Sequence, residues 1–381
     1  MTKILPLSNL VKWVDARNKT LVSTNLLGIN IEKYFMPSVA NIIGTDLSSY
    51  KVINKFQFAC NPMHVGRDEK MPIALYDKEE PSIVSPAYFV FEVLDSQIIN
   101  PEYLMLWFKR PEFDREVWFH TDGSVRGGIT WEEILEMTVP VPSIEEQKAI
   151  VDKYKSIENR ISVLRQINDN LESQIYSLFQ TLFAKNENYS LWETHSLSNL
   201  VGVIDNRGKT PPCIDEETDY PLLEIASIRT NGRIIDYNSV EKYVNAEIYN
   251  EWFRSGHPKK FDIIMSTVGS LAELKLFVGN KGCIAQNLVA FRCHNSEHSL
   301  YLYQYLNWKR NELLSYEIGS VQASIKVSQV INMGVTLPPI SIIEKFNSFA
   351  EKATNMIYSN CESISSLERL KKVSVSMLSS H

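Results

Sequence analysis

The chain has 381 residues, 44% hydrophobic and 22% charged, with a formal net charge of −6. That is apolar material for two ordinary domains. No 18-residue run is free of charge, which opposes a transmembrane helix. A net negative chain opposes nucleic-acid binding too, unless its basic residues gather on one face or partner subunits supply positive surface.

The opening Met1-Thr2-Lys3-Ile4-Leu5-Pro6 lacks the long apolar core of a secretory signal. Cys60, Cys213, Cys283, Cys293 and Cys361 are odd in number, scattered, and contain no C-x-x-C. The expectation is a cytoplasmic protein with reduced thiols, no disulfide frame and no metal site.

The chain repeats itself. Leu7-Ser8-Asn9-Leu10-Val11 recurs as Leu197-Ser198-Asn199-Leu200-Val201. Asp15-x-Arg17-x-Lys19-Thr20 recurs as Asp205-x-Arg207-x-Lys209-Thr210 at the same offset (205 − 15 = 190). Further on, Tyr103-x-x-Leu106-x-x-Lys109-Arg110 is echoed by Tyr303-x-x-Leu306-x-x-Lys309-Arg310. Gly123-Ser124-Val125 is echoed by Gly319-Ser320-Val321, Ile129 by Ile325, and Met137 by Met333. Each copy ends in a proline-bearing joint, Val139-Pro140-Val141-Pro142 and Val335-Thr336-Leu337-Pro338-Pro339, followed by a long stretch without Gly or Pro. Residues 30–100 and 228–298 do not align. A shared frame with divergent interiors suggests one scaffold carrying two recognition surfaces.

In chain order, residues 88–93 read as a strand and 101–118 as a short helix. Ser143 with Glu146 forms a capping box for a helix over 143–183. Its heptad pattern places Tyr154, Ile161, Ile175 and Leu182 at one core position. Ile157, Leu164, Leu171 and Leu178 occupy the other, joined by Ile150. Four heptads of steps of four and three predict a coiled coil, a rod of about 60 Å. Asn168 falls on this seam, either as a register-fixing amide or as a local defect.

In the second copy, residues 220–228, 261–267 (followed by a turn at Gly269) and 285–292 read as strands, and 299–315 as a short helix. A second long helix is predicted over 341–377. Phe346, Phe349, Ala353, Met356, Leu367 and Leu370 form its weaker seam, with Asn360, Ser363 and Ser374 not fitting. So polar a helix needs a partner. Packing antiparallel on the first helix would put one globular unit at each end of the rod.

The predicted fold is α+β: two mixed, sheet-rich domains separated by two long helices in an antiparallel coiled coil, with a pseudo-twofold internal repeat. The domains are 1–140 and 189–336; the helices are 141–188 and 337–381.

Catalytic patterns fail on their spacing. Gly208-Lys209-Thr210 lacks a glycine at the distance a phosphate-binding loop needs, and Pro211-Pro212 suits no following helix. Asn61-Pro62-Met63-His64 lacks the second proline and the aromatic residue of a base-flipping methyltransferase loop, and reads as a turn. His294 and His298 have no Glu beside them in a zinc-protease pattern. No catalytic residues and no cofactor are expected.

The joint Val139-Pro140-Val141-Pro142-Ser143-Ile144-Glu145-Glu146-Gln147 resembles the Pro-Leu-Pro-Pro-Leu-x-Glu-Gln-type signature of type I restriction–modification specificity subunits. The helix end Leu178-Phe179-Gln180-Thr181-Leu182-Phe183, the Asp-x-Arg-x-Lys-Thr segments and Phe261-Asp262-Ile263-Ile264 resemble features of that family as well. The second joint departs from it, lacking Glu-Glu-Gln. The resemblance spans essentially the whole chain.

It implies a non-catalytic subunit whose two domains each read half of a split, asymmetric double-stranded DNA target. Its helices would dock two modification methyltransferase subunits, with Glu145, Glu146 and Gln147 as partner contacts, and motor-nuclease restriction subunits would join. No methyl donor, ATP or membrane is implied. Arg17, Lys19, Arg207 and Lys209, which recur in both copies, are the expected phosphate contacts. Arg67, Lys70, Arg229, Asn231 and Arg233, in divergent segments, are the expected base readers; Arg126 and Gln322, in matched loops, could do either. The alternative is a coiled-coil interaction scaffold that does not bind DNA.

Overall fold

A computed structural model describes residues 2–39, 44–63, 65–121, 127–279, 281–319 and 322–379. The chain divides into two compact units. The first comprises Met1–Arg160 with Leu367–His381, the second Ile161–Ser366.

In the first unit the strand Lys3–Pro6 pairs antiparallel with Thr138–Val141, so the globular part closes on itself where it enters and leaves. A single helical turn, Leu7–Asn9, buries Leu7 and leads into Val11–Trp13. That strand edges a four-stranded antiparallel sheet continuing through Phe89–Val93, Phe58–Cys60 and Ile73–Leu75. A second sheet holds Phe35–Pro37, Leu26–Ile29, Ser82–Val84 and Lys51–Ile53 in that order, with Leu26–Ile29 parallel to Ser82–Val84.

The second unit repeats this plan. Glu193–Ser196 pairs with Gly334–Leu337, Leu197–Asn199 makes the same helical turn, and Val201–Ile204 edges a sheet through Leu288–Cys293, Ile263–Ser266 and Leu274–Leu276. The parallel pairing Leu222–Leu223 with Cys283–Ile284 matches Leu26 and Leu27 against Ile83 and Val84. The repeat thus extends into the stretches whose sequences do not align. Short, continuously buried apolar runs, not residue identity, define those strands.

The short apolar run at 220–228 is a strand only over Leu222–Leu223. It then turns into the helical segment Ile225–Ile228, where the Ser227 hydroxyl donates to the Glu224 carbonyl at 2.7 Å. Such a run does not declare its period. The helix expected at 101–118 is two helices, Pro101–Phe108 and Pro111–His120. Pro111 forces Arg110 into extended backbone between them (φ −71°, ψ 142°).

The long helices run Ile144–Phe179 and Ile340–Ser376. The capping box forms as read: the Ser143 hydroxyl accepts from Glu146 N (3.3 Å), and the Glu146 carboxylate accepts from Ser143 N (3.0 Å). In the second unit Ile175, Phe179 and Phe183 pack with Ile343, Phe346, Ala350, Ala353 and Ile357 in one core. Asn168 Oδ1 accepts from Asn360 Nδ2 at 2.8 Å while Phe179 meets Phe346 further along, so the helices are antiparallel. Asn168 is therefore a paired seam amide, the arrangement that fixes register. Its partner is one of the residues that had not fitted the second seam. That seam is otherwise shifted from the expected one: Met356 and Leu370 are 52% and 51% exposed, and Ile343, Ala350 and Ile357 take the buried places. In the first unit Val151 and Tyr154 pack with Val375 and Leu378, and Lys371 bridges to Glu158 at 3.2 Å.

Candidate nucleic-acid interface

Each duplicated basic segment follows the edge strand of its sheet. Asp15 holds Arg17 at 2.8 Å, and Arg17 also donates to the Ser49 carbonyl at 2.8 Å. Asp205 holds Arg207 through two bonds, 2.8 and 2.6 Å, and Arg207 reaches the Thr267 hydroxyl at 3.3 Å. Those bonds keep the Asp205 carboxyl below its ordinary pKa, so it stays ionised. The Asp205 carboxylate also accepts from Arg207 N at 3.0 Å, so in the second copy a local turn sets the pair. Buried asparagines brace both loops. Asn18 Nδ2 donates to the Ser23 and Leu47 carbonyls, and Asn206 Nδ2 to the Gly256 and Ile284 carbonyls. Lys19 and Lys209 stand exposed at the turns so formed. No helix follows Gly208-Lys209-Thr210, so the segment does not make a phosphate-binding loop of the nucleotide-hydrolase kind.

The other expected contacts scatter. Arg67 is exposed and paired with Asp68 at 2.6 Å; Lys70 is half-buried and paired with Glu32 at 2.9 Å. Arg229, Asn231 and Gln322 are exposed. Arg126 lies outside the described residues, as do His64, Gly123-Ser124-Val125, Ser320 and Val321. The described part of the Asn61-Pro62-Met63 segment is a turn, with Asn61 Oδ1 accepting from Met63 N at 3.1 Å.

Arg233 corrects the expectation that it reads bases. It is 1% exposed. Gly232, at φ +79°, turns the chain inward. The Arg233 guanidinium lies on Glu172 of the first long helix (2.8–3.0 Å), Thr354 of the second (3.1 Å) and Gln304 (3.4 Å). It anchors the second head to both helices and is unavailable to a base. Gln147 is likewise 0% exposed, so it corrects the partner-contact reading. Its amide donates to the Ile98 and Pro142 carbonyls and accepts from Asn100 N, welding the joint to the head. Ile343, 196 residues on (343 − 147 = 196), is buried in the apolar core instead, which explains how the second joint dispenses with a glutamine. Glu145 and Glu146 remain exposed.

Burial pushes the Cys60 and Cys283 thiols up to about 12 and Cys293 to about 11, so these three stay protonated and unreactive.

Fold and site together define a duplicated architecture: two copies of one sheet frame, each with an arginine-lysine segment at its sheet edge and a long helix at its exit. The model of the type I restriction modification DNA specificity domain matches this chain twice, over residues 15–173 and 189–357, and the chain belongs to that family. It is 21% identical over 291 residues to the type I restriction enzyme MjaIX specificity subunit of Methanocaldococcus jannaschii, a match covering 71% of this chain and 66% of the relative's length. Its fold is similar to the crystal structure of the S subunit of the type I restriction-modification system from M. genitalium. That likeness has a TM-score of 0.59 and 14% identity, and covers 99% of this chain and 96% of the other.

Proposed function

We propose that this chain is the sequence-specific DNA-recognition subunit of a type I restriction–modification complex. Each head reads one half of a split, asymmetric target in double-stranded DNA. The long helices dock two modification methyltransferase subunits, and motor-nuclease restriction subunits join that assembly. The chain supplies recognition and no catalysis. Methyl donor and ATP belong to its partners, and the complex works in the cytoplasm. No helix among the described residues is long and apolar enough to cross a membrane.

The observation that carries this reading is the repeat itself. Two heads keep one strand order in the main sheet but dress it differently, so two different half-sites are read through one geometry. The recognition heads are residues 1–140 and 189–336, and the helical elements 141–188 and 337–381. Lys19 and Lys209, with Arg17 and Arg207 held beside them, contact phosphates and set the position of each head. Arg67, Lys70, Arg229 and Asn231 lie in segments unique to one head and read bases. Gln322 and Arg126 serve either purpose. Glu145 and Glu146 face the partner subunit.

Binding of the chain with its methyltransferase subunits to duplex DNA, followed over about 50–200 mM salt, tests this. The expected log–log salt dependence is steep, and Lys19→Ala and Lys209→Ala each lower its slope by about 1 and weaken all sequences alike. Absence of binding, or binding indifferent to salt, would leave an interaction scaffold, the reading that the net charge of −6 favours.

A further inference from the structure

Gln286 sits where a glutamine is strained. Residues 285–288 form a tight turn closed by Leu288 N on the Ala285 carbonyl at 3.2 Å, and both end residues are buried. Gln286 occupies the second position at φ +43°, the left-handed region that Gly or Asn adopts with less strain. Its side chain is exposed and contributes nothing to the core. Strained backbone of this kind persists where the surroundings over-determine it, and it clusters at binding sites.

The surroundings do over-determine it. Gln286 Nε2 donates to the Thr210 hydroxyl, at the end of the duplicated Asp-x-Arg-x-Lys-Thr segment. The next carbonyl, of Asn287, accepts from Thr267 N at 2.8 Å and from the Thr267 hydroxyl, which Arg207 in turn reaches. Arg207, Thr210 and Gln286 thus form one connected platform, with Lys209 exposed beside Thr210. Gln286 and Thr210 line a shallow recess with Asn287 and Glu224, and the charge of Glu224 is met by Lys242 at 3.0 Å. With one amide N–H on Thr210, Gln286 retains Oε1 and a second N–H in the same plane. One acceptor and one donor side by side match the N6 and N7 groups of adenine in the major groove.

We propose that Gln286 reads an adenine in the half-site of the second head, its amide fixed in orientation by the strained turn and by Thr210. This rests on the DNA-recognition reading above and names a specificity residue within it. Backbone contacts from Lys209 set the depth of the head; Gln286 supplies discrimination at one base pair.

The test uses the full chain reconstituted with its methyltransferase subunits. Methylation is measured on duplexes in which each base pair of the wild-type target is varied singly. Gln286→Gly removes the amide and relieves the backbone; Gln286→Asn keeps an amide and tolerates the same φ but is one methylene short. Both are expected to lose roughly 5- to 150-fold discrimination at a single A·T pair of one half-site. The other half-site and the salt dependence should not change, and the Gly variant should unfold at the wild-type temperature or above. Unchanged discrimination in both variants would overturn the proposal. So would loss at a position that is not A·T, or a uniform loss accompanied by a lower unfolding temperature, which marks a purely structural role. A wild-type complex that discriminates no sequence at all would overturn the functional reading as well.

Discussion

Glu172→Ala is expected to destabilise the second unit by about 3 kcal/mol, because it strands a buried guanidinium. Arg233 is 1% exposed and donates four hydrogen bonds to Glu172, counting that of its backbone N–H to Oε1 at 2.9 Å. Thr354 and Gln304 offer neutral oxygens only and cannot balance the charge. Lys275 adds to the cost, since its ammonium donates to the Thr230 and Gly232 carbonyls of the same loop and feels the same carboxylate. For a unit of this size the loss corresponds to a fall in unfolding temperature of roughly 6–12 °C, read by thermal denaturation. Glu172→Leu combined with Arg233→Met removes both charges and should return most of the stability, since a buried pair exchanged for apolar groups of similar volume is often neutral. A Glu172→Ala variant that melts within about 2 °C of wild type would contradict this account of how the second head is held.

Exchange of the first head for that of a relative should rewrite one half of the target and leave the other intact. The pairing at the base of the head makes this possible. Lys3–Pro6 lies against Thr138–Val141, so the chain enters and leaves the head side by side. A cut at Pro142 carries both strands and leaves the capping box of Ser143 and Glu146 with the helix. Gln147 needs the Ile98 carbonyl and the Asn100 amide of the incoming head, and only backbone groups are involved, so any head of the same path can supply them. The measurement is methylation of duplexes carrying each half-site in turn. Changed recognition of both halves would defeat the modular picture.

Much of this architecture was legible in the sequence, and the reasons differ by element. The long helices announced themselves because heptad spacing and a capping box are local signals. The repeat was visible where loops and joints need particular residues, as in Asp15-x-Arg17 and Asp205-x-Arg207. It was invisible in the sheet interior, where Phe58–Cys60 and Ile263–Ser266 hold equivalent places with different apolar residues. The second seam was misjudged because Ile343, Ala350 and Ile357 pack against the head as well as the first helix, and a heptad template tests only the helix partner.

The site was less legible than the fold. Arg233 and Gln147 carry polar side chains whose partners lie far along the chain, Glu172 at 61 residues and Ile98 at 49, and no local pattern encodes such a meeting. Gln286 was missed for a related reason: its distinguishing mark is a backbone angle, which a glutamine in the sequence does not reveal.

The central claim is that this chain directs modification to a split DNA sequence. The most direct test maps methylated bases across genomic DNA by long-read sequencing, in cells with and without this gene and with its candidate methyltransferase subunit present. The account predicts an asymmetric, two-part motif that is methylated only when the gene is present. Identical maps from the two strains, with an active methyltransferase, would contradict it.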